Sequence, residues 1–221
     1  MEPQRIEAAR RFVNVNAKDN RVYLIMKRTI DILGALVGLI LLSPLFLIVG
    51  LLIKTEDSKG PVFFTQKRVG LNQKEFTMIK FRSMVVNAEE MLASLMEQNE
   101  ASGLMFKMKN DPRVLKIGKF IRKTSIDELP QLINVLKGDM SLVGPRPPLP
   151  WEVNEYTSYE LQRLTVVPGC TGLWQVSGRS NIGFEEMVEL DLTYIQKRDF
   201  WYDLKIIFKT VILLFGSNDA F

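Results

Sequence analysis

Ile32-Leu-Gly-Ala-Leu-Val-Gly-Leu-Ile-Leu-Leu-Ser-Pro-Leu-Phe-Leu-Ile-Val-Gly-Leu-Leu-Ile53 carries no charged residue and holds Ser43-Pro44 at its centre. Crossing the hydrocarbon core of a bilayer takes about 20 apolar residues, so this run reads as membrane-embedded rather than as a buried core helix. It begins too late, and lacks the following small-residue cleavage pattern, for a cleaved signal peptide. Two features argue against a simple crossing. Proline removes a backbone hydrogen bond and bends a helix, and basic residues flank both ends: Lys27 and Arg28 before, Lys54, Lys59, Lys67 and Arg68 after. Positive charge stays on the cytoplasmic side, which frustrates a straight crossing. A helix-break-helix hairpin over residues 27–54, entering and leaving by one leaflet, removes the conflict, with Ser43 placed to satisfy carbonyls freed at Pro44. On physics alone a kinked transmembrane helix stays equally open. Asp31 lies one turn from Lys27 and Arg28 and is placed to pair with either.

Taken whole, the 221-residue chain has a globular composition, with 47% hydrophobic and 24% charged residues, enough for one domain with an appendage or two small domains. Its net charge of +4 suits anionic lipid, nucleotide phosphate or nucleic acid. Histidine is absent, so proton transfer and nucleophilic chemistry fall to carboxylates, hydroxyls, lysines or the single cysteine, Cys170. One cysteine excludes an internal disulfide and a cysteine-rich metal site, and without histidine to activate it Cys170 reads as a packed, inert thiol.

Residues 61–65 and 75–80 pattern as strands joined by Gly70-Leu-Asn-Gln73. Helices are expected over 88–98, over 130–137 with a stop at Gly138, and over 152–163 and 184–197, with a short basic element at 114–122 and a loop at 103–110. Residues 144–150 hold four prolines and form a rigid turn, and 168–183 form a glycine-rich loop of functional length. Two readings stay open for 200–215: a helix in the membrane interface with Trp201 and Tyr202 at headgroup depth, or a core helix. No Walker A loop, GxGxxG, CxxC or HExxH pattern occurs.

Chemistry concentrates in Lys123-Thr-Ser-Ile-Asp-Glu-Leu-Pro-Gln131. If Ser125 is an N-cap, Glu128 completes a capping box. If the helix starts at Pro130, Asp127 and Glu128 stand at its mouth near free amides, a setting that suits phosphate; this second reading is preferred because it leaves Pro130 where no amide is needed. Lys80, Arg82, Arg113, Arg122, Lys123, Arg146 and Arg179 lie in short loops or element ends around the pair. Carboxylates amid such cations indicate a salt-bridge network, or an anionic substrate with a divalent metal.

Several motifs resemble the monotopic phosphoglycosyl transferases, or bacterial sugar transferases. They include Lys27-Arg-x-x-Asp31, Ser43-Pro44, Pro61-Val-Phe-Phe64, Lys80-Phe-Arg82, Asp111-Pro-Arg113 and Ser125-Ile-Asp-Glu-Leu-Pro-Gln131. Leu136 to Pro147, Pro168-Gly-x-Thr-Gly172, Trp174-Gln-Val-x-Gly-Arg179 and Glu189-Leu-Asp191 complete the set, which runs from about Lys27 to Val211. The resemblance implies an α+β monotopic membrane protein: a re-entrant hairpin over 27–54 with Lys27, Arg28, Asp31, Ser43 and Pro44, a polar extension over 1–26, and a catalytic domain over 55–221. That domain would hold a small β-hairpin and amphipathic interfacial helices on the cytoplasmic face of the bacterial inner membrane. The resemblance also implies transfer of hexose 1-phosphate from a UDP-sugar to undecaprenyl phosphate at the start of exopolysaccharide or capsule synthesis. Asp127 would be the nucleophile and a ligand of Mg2+, with Glu128 assisting. Lys80, Arg82, Arg113, Arg122, Pro145, Arg146, Pro147 and Arg179 would bind substrate. Gly172-Leu-Trp-Gln-Val176 resembles members handling galactose or glucose rather than N-acetylhexosamines, which remain the alternative. Longer relatives carry additional membrane helices before the catalytic part, so the chain is expected to be the catalytic module alone. A non-catalytic membrane adaptor is the rival reading. Nucleic-acid binding is not expected, and homo-oligomerisation is left open.

Overall fold

The computed structural model describes residues 20–95, 108, 111–178 and 182–216. The extension up to residue 19, the end of the 88–98 helix, most of the loop expected at 103–110, and Arg179 lie outside the described residues.

Helix α1 (Arg21–Glu56) takes up the whole apolar run, with the Asn20 side chain accepting from the Val22 amide. The expected break is not an interruption of helical backbone, because α1 continues through Pro44. Proline cannot donate to the carbonyl four residues back, here that of Ile40, and the Ser43 hydroxyl donates to it instead at 2.8 Å. Burial divides the helix into three parts. Tyr23, Asp31 and Ala35 are buried in its first half and Val49 and Ile53 near its end, while Leu36, Val37, Ile40, Leu41, Leu47 and Ile48 between them are exposed.

Strands β1 (Phe63–Val69) and β2 (Glu75–Phe81) form the expected antiparallel hairpin, with Phe64 opposite Lys80 and Arg68 opposite Phe76. Its turn places Asn72 and Gln73 at φ of 53° and 62°, the left-handed region where asparagine is tolerated best. Helices α2 (Ala88–Leu95) and α3 (Lys116–Lys123) follow, then α4 (Gln131–Lys137), ended by Gly138 at φ 89°. A parallel pair not foreseen from sequence comes next: β3 (Ser141–Val143) beside β4 (Gly169–Thr171), with Ser141 opposite Gly169. The strands are so close that a Cβ on Gly169 would lie 2.0 Å from the Gly144 nitrogen.

The single helix expected over 152–163 is instead α5 (Pro150–Asn154) and a separate 3-10 segment, Glu160–Thr165. The Glu160 carboxylate accepts from the Thr157 amide at 2.7 Å, so a new helical start interrupts the apolar periodicity. Helices α6 (Phe184–Lys197) and α7 (Phe200–Gly216) close the fold. The core reading of α7 holds on one face, against which Tyr202 also packs, and the opposite face is largely apolar and exposed. Ile206 and Asp203 are buried, Ile206 within a core built with Val143, Val188, Leu192 and Ile195, while Trp201, Phe208, Val211 and Ile212 are exposed.

Charged groups fasten α1 to this body. Lys27 donates to the Val143 carbonyl at 2.9 Å and to Asp203 at 2.8 Å, and Tyr23 and Tyr194 complete the shell of Asp203. Arg28 donates to the Val135 and Leu136 carbonyls at the end of α4. Asp31 does not take Lys27 or Arg28 as its partner: it accepts from the Leu142 amide at 2.8 Å and the Ser141 hydroxyl at 3.0 Å. The tertiary fold brings these donors closer than the neighbours on its own helix. At the other end Glu56 accepts from the Lys116 and Ile117 amides, capping α3, while Val49 and Ile53 pack on Phe81 and Ile121.

Candidate functional site

Asp127 and Glu128 occupy a single 3-10 turn, Ile126–Glu128, between α3 and α4. Ser125 is left-handed (φ 57°) and caps nothing with its side chain, so the capping-box reading does not hold; Pro130 sits at the cap of α4 in helical conformation. The carboxylates thus precede the helix, as preferred. The free amides expected beside them are largely used, because the 3-10 turn runs straight into α4. The Glu128, Leu129, Leu132 and Ile133 amides bond to the carbonyls of Ser125, Ile126, Leu129 and Pro130. Close packing sets the turn's position: a Cβ on Gly118 in α3 would lie 2.1 Å from the Ser83 carbonyl oxygen, just beyond β2.

The two carboxylates have different environments. Glu128 accepts from Lys80 at 2.6 Å. Burial opposes its ionisation, yet Lys80, with Arg146 and Arg68, outweighs burial and holds Glu128 below the usual range. Its side chain is still 43% exposed, so solvent screens the pair and limits its contribution to stability. Asp127 goes the other way. Burial, then the charge of Glu128, push it up to about 6 against the pull of Lys80 and Arg122. Among the described residues no side chain donates a hydrogen bond to Asp127, whose oxygens accept only its own backbone amide. One carboxylate is ionised and engaged; its neighbour is open to a ligand. Cys170 is nearby and inert as expected, since burial and then the charges of Glu128 and Asp31 keep its thiol protonated.

A second part of the site is the Pro145-Arg146-Pro147 turn. Its backbone is held at three points: the Gly169 amide donates to the Pro145 carbonyl at 2.9 Å, Arg163 to that of Arg146 at 3.2 Å, and Arg68 to that of Pro147 at 3.0 Å. Arg163 is itself fixed by Asp191 at 2.7 Å and the Tyr156 hydroxyl at 2.8 Å, both members of the ion pair being 1% exposed. The Arg146 guanidinium lies 5.9 Å from the centre of the Trp174 ring, which gives the Trp174-Gln175 motif a place beside the turn.

Of the residues expected to bind substrate, Lys80, Arg122 and Arg146 act electrostatically on the carboxylate pair. Arg82 lies elsewhere, joined to Asp57 at 2.6 Å and to the Asp57 carbonyl. Arg113 chelates Asp111 at 2.7 Å. Lys27, Arg28 and Asp31 hold α1 to the body. Sequence reading missed Arg68 and Arg163 as parts of the site. For Arg68 a signal existed: strand alternation puts positions 64, 66 and 68 of β1 on the face that carries Met78 and Lys80 of β2. Nothing local marked Arg163, whose partner Asp191 is 28 residues away.

Magnesium binds through one or two carboxylates together with substrate phosphates and water. Among the described residues no group of three His, Cys, Asp or Glu side chains could hold a metal. Asp127, with open oxygens, therefore fits an ion that arrives with a diphosphate, and no all-protein metal cage is present in that part of the chain.

A largely exposed apolar helix is thus anchored by charged groups to a small mixed domain that sets an unpaired aspartate amid cations. The chain belongs to the bacterial sugar transferase family, whose model matches residues 22–217. It is 51% identical over 198 residues to the galactosyl transferase CpsE of Streptococcus agalactiae serotype III, covering 89% of this chain and 44% of that protein. Identity is 44% over 200 residues with the undecaprenyl-phosphate galactose phosphotransferase of Salmonella typhimurium (89% and 42% covered). It is 42% over 189 residues with the exopolysaccharide production protein ExoY of Rhizobium meliloti (84% and 83% covered). The chain thus spans under half the length of the first two and most of the third.

Proposed function

We propose that this chain transfers hexose 1-phosphate, galactose or glucose, from a UDP-sugar to undecaprenyl phosphate in exopolysaccharide or capsule synthesis, through a covalent intermediate on Asp127. The observation that carries the reading is the division of labour in the pair: Glu128 is engaged by Lys80, while Asp127 is unpartnered, half-buried and ringed by cations. An Asp127 oxygen attacks the β-phosphorus of the donor, the bond to the bridging oxygen breaks, and UMP leaves with that electron pair. A phosphate oxygen of undecaprenyl phosphate then attacks the same phosphorus and displaces the carboxylate, giving the lipid diphosphate sugar. Glu128, kept ionised, orients the acceptor and can receive its proton. Lys80, Arg122 and Arg146 offset charge on the phosphates. Magnesium, held by Asp127 and the diphosphate, would neutralise charge on the phosphate oxygens. Intact-mass measurement after incubation with UDP-galactose should show the added hexose phosphate; UDP-N-acetylgalactosamine serves as the comparison. No adduct with any sugar nucleotide would remove the covalent route, and an adduct with the N-acetylated sugar alone would move the substrate to that class.

The shift of Asp127 makes the pH dependence specific. The nucleophile is the ionised form, so kcat/KM for the UDP-sugar should be level above about pH 7 and fall close to tenfold per unit below about pH 6. Glu128, shifted downward, does not titrate in that window. A profile flat to pH 5 would mean that Asp127 is not raised in the free enzyme.

The same reading includes a re-entrant α1 at the cytoplasmic face of the inner membrane. Among the described residues α1 is the one helix long and apolar enough to cross a membrane. Support for re-entry comes from its two ends, which dock on one domain: Arg28 and Asp31 on α4 and β3, Val49, Ile53 and Glu56 on β2 and α3. Between Ala35 and Val49 no residue of α1 is fully buried, and Leu36, Val37, Ile40, Leu41, Leu47 and Ile48 are exposed. Single cysteines introduced beside Lys27 and Lys59, in a Cys170→Ser background, should label from the same side of sealed vesicles. Labelling from opposite sides would rule re-entry out.

A further inference from the structure

Four arginines are buried among the described residues: Arg68, Arg82, Arg113 and Arg163. Three of them face a carboxylate within 2.7 Å, namely Asp57, Asp111 and Asp191. Arg68 has none within salt-bridge distance. Only 5% of it is exposed, and its polar contacts are neutral: Nη1 donates to the Pro147 carbonyl at 3.0 Å and Nη2 to the Gln66 side chain at 2.8 Å, while the buried Nε has no partner.

An isolated buried cation is costly, and its surroundings make this one more so. After burial, the strongest influence on Arg68 is another cation, Arg146, and together they lower it to about 10. The carboxylates that favour its charge, Glu152 and Glu128, lie beyond salt-bridge distance; Glu152 accepts from the Leu149 amide at 2.6 Å and Glu128 is paired with Lys80. Two guanidiniums close enough to repel, with a buried donor left unpaired and no carboxylate within salt-bridge distance of Arg68, make a site that favours an anion.

We propose that Arg68, acting with Arg146, forms a subsite for a phosphate group of the substrates, which completes the charge balance that the protein leaves open. The proposal rests on the transferase reading. It adds a residue that lies outside the catalytic loop and reaches the site from the β-hairpin. Two sources offer the same chemistry: the phosphate of the departing UMP and the headgroup of the polyprenyl phosphate.

The test uses the full chain in detergent, with UMP and a short-chain polyprenyl phosphate as separate probes measured by calorimetry, and thermal melting of the same samples. Arg68→Gln should weaken UMP binding about 10- to 100-fold, the worth of a charge-assisted hydrogen bond. Arg68→Lys should recover part of that loss. The melting temperature of ligand-free Arg68→Gln should equal or exceed that of the parent, since an unpaired buried charge has been removed. A purely structural role moves the melting temperature down and leaves affinity unchanged. Loss of affinity for either phosphate upholds the subsite and identifies its source. Equal affinity of parent and variant for both probes, or a parent that binds neither, overturns it. Binding makes no covalent bond, so failure of the adduct experiment would leave this result standing, and the two ideas fail separately.

Discussion

Asp127→Asn is expected to abolish the covalent adduct and lower turnover by at least about 1000-fold, the order seen when a nucleophile is removed from a covalent enzyme. The same variant should be more stable than the parent at neutral pH. Folding raises Asp127 from 3.8 to about 6, so the folded state prefers it protonated. Stability tied to this group is present below pH 4, is lost as pH rises through about 6, and stays lost above. Asparagine carries no charge to bury. Its advantage should therefore be absent at pH 4 and reach on the order of 1 to 3 kcal/mol at pH 8, the upper end being the full linkage value. Melting curves at the two pH values, set beside intact-mass and turnover measurements, separate a stored electrostatic strain from simple loss of fold. If the variant turns over normally, Asp127 has no covalent role; if it melts lower at pH 8, the strain argument is wrong.

Asp191→Ala should be the most destabilising single change in the site. It strands the guanidinium of Arg163, which is 1% exposed, without its counter-ion, and breaking a buried pair in this way costs about 3 to 5 kcal/mol. For a chain of this size that is roughly 10 °C in melting temperature. Activity should fall further than stability explains, because Arg163 also donates to the Arg146 carbonyl and so helps set the Pro-Arg-Pro turn. The paired replacement Arg163→Met with Asp191→Leu should recover much of the stability, since well-packed apolar groups replace a buried pair at little cost. It should not recover activity, as the tether to the turn is still missing. A single variant that melts within 2 °C or so of the parent would mean that the ion pair does not hold the turn.

Much of this site was legible in the sequence for local reasons. Pro130 has no amide to leave unsatisfied and its φ suits a helix start, which placed Asp127 and Glu128 before α4 rather than within a capping box. Alternating residues and a Gly70-Leu-Asn-Gln73 turn marked the β-hairpin, and Gly138 marked the end of α4. Other parts had no local trace. Strands of three residues such as β3 and β4 are too short to show a period of two, and their parallel pairing joins residues 28 apart. Thr157 and Glu160 began a new helical turn inside an amphipathic pattern that read as one helix. Asp31 matched the spacing for Lys27 and Arg28, but the Leu142 amide and Ser141 hydroxyl came closer once β3 packed against α1.

Composition and motif by themselves narrowed the candidates for the chemistry to Asp127 and Glu128, because a chain without histidine that clusters arginine around two adjacent carboxylates leaves few others. They also marked one apolar segment long enough to enter lipid. Which arginines are neutralised and which is left waiting for an anion was decided only by the tertiary structure. Sequence set Arg82 and Arg113 among the expected substrate binders, and only folding pairs them and Arg163 with carboxylates while placing Arg68 within the repulsive reach of Arg146. The charge state of a side chain depends on distances of a few ångströms between segments far apart in the chain, and those distances are a property of packing.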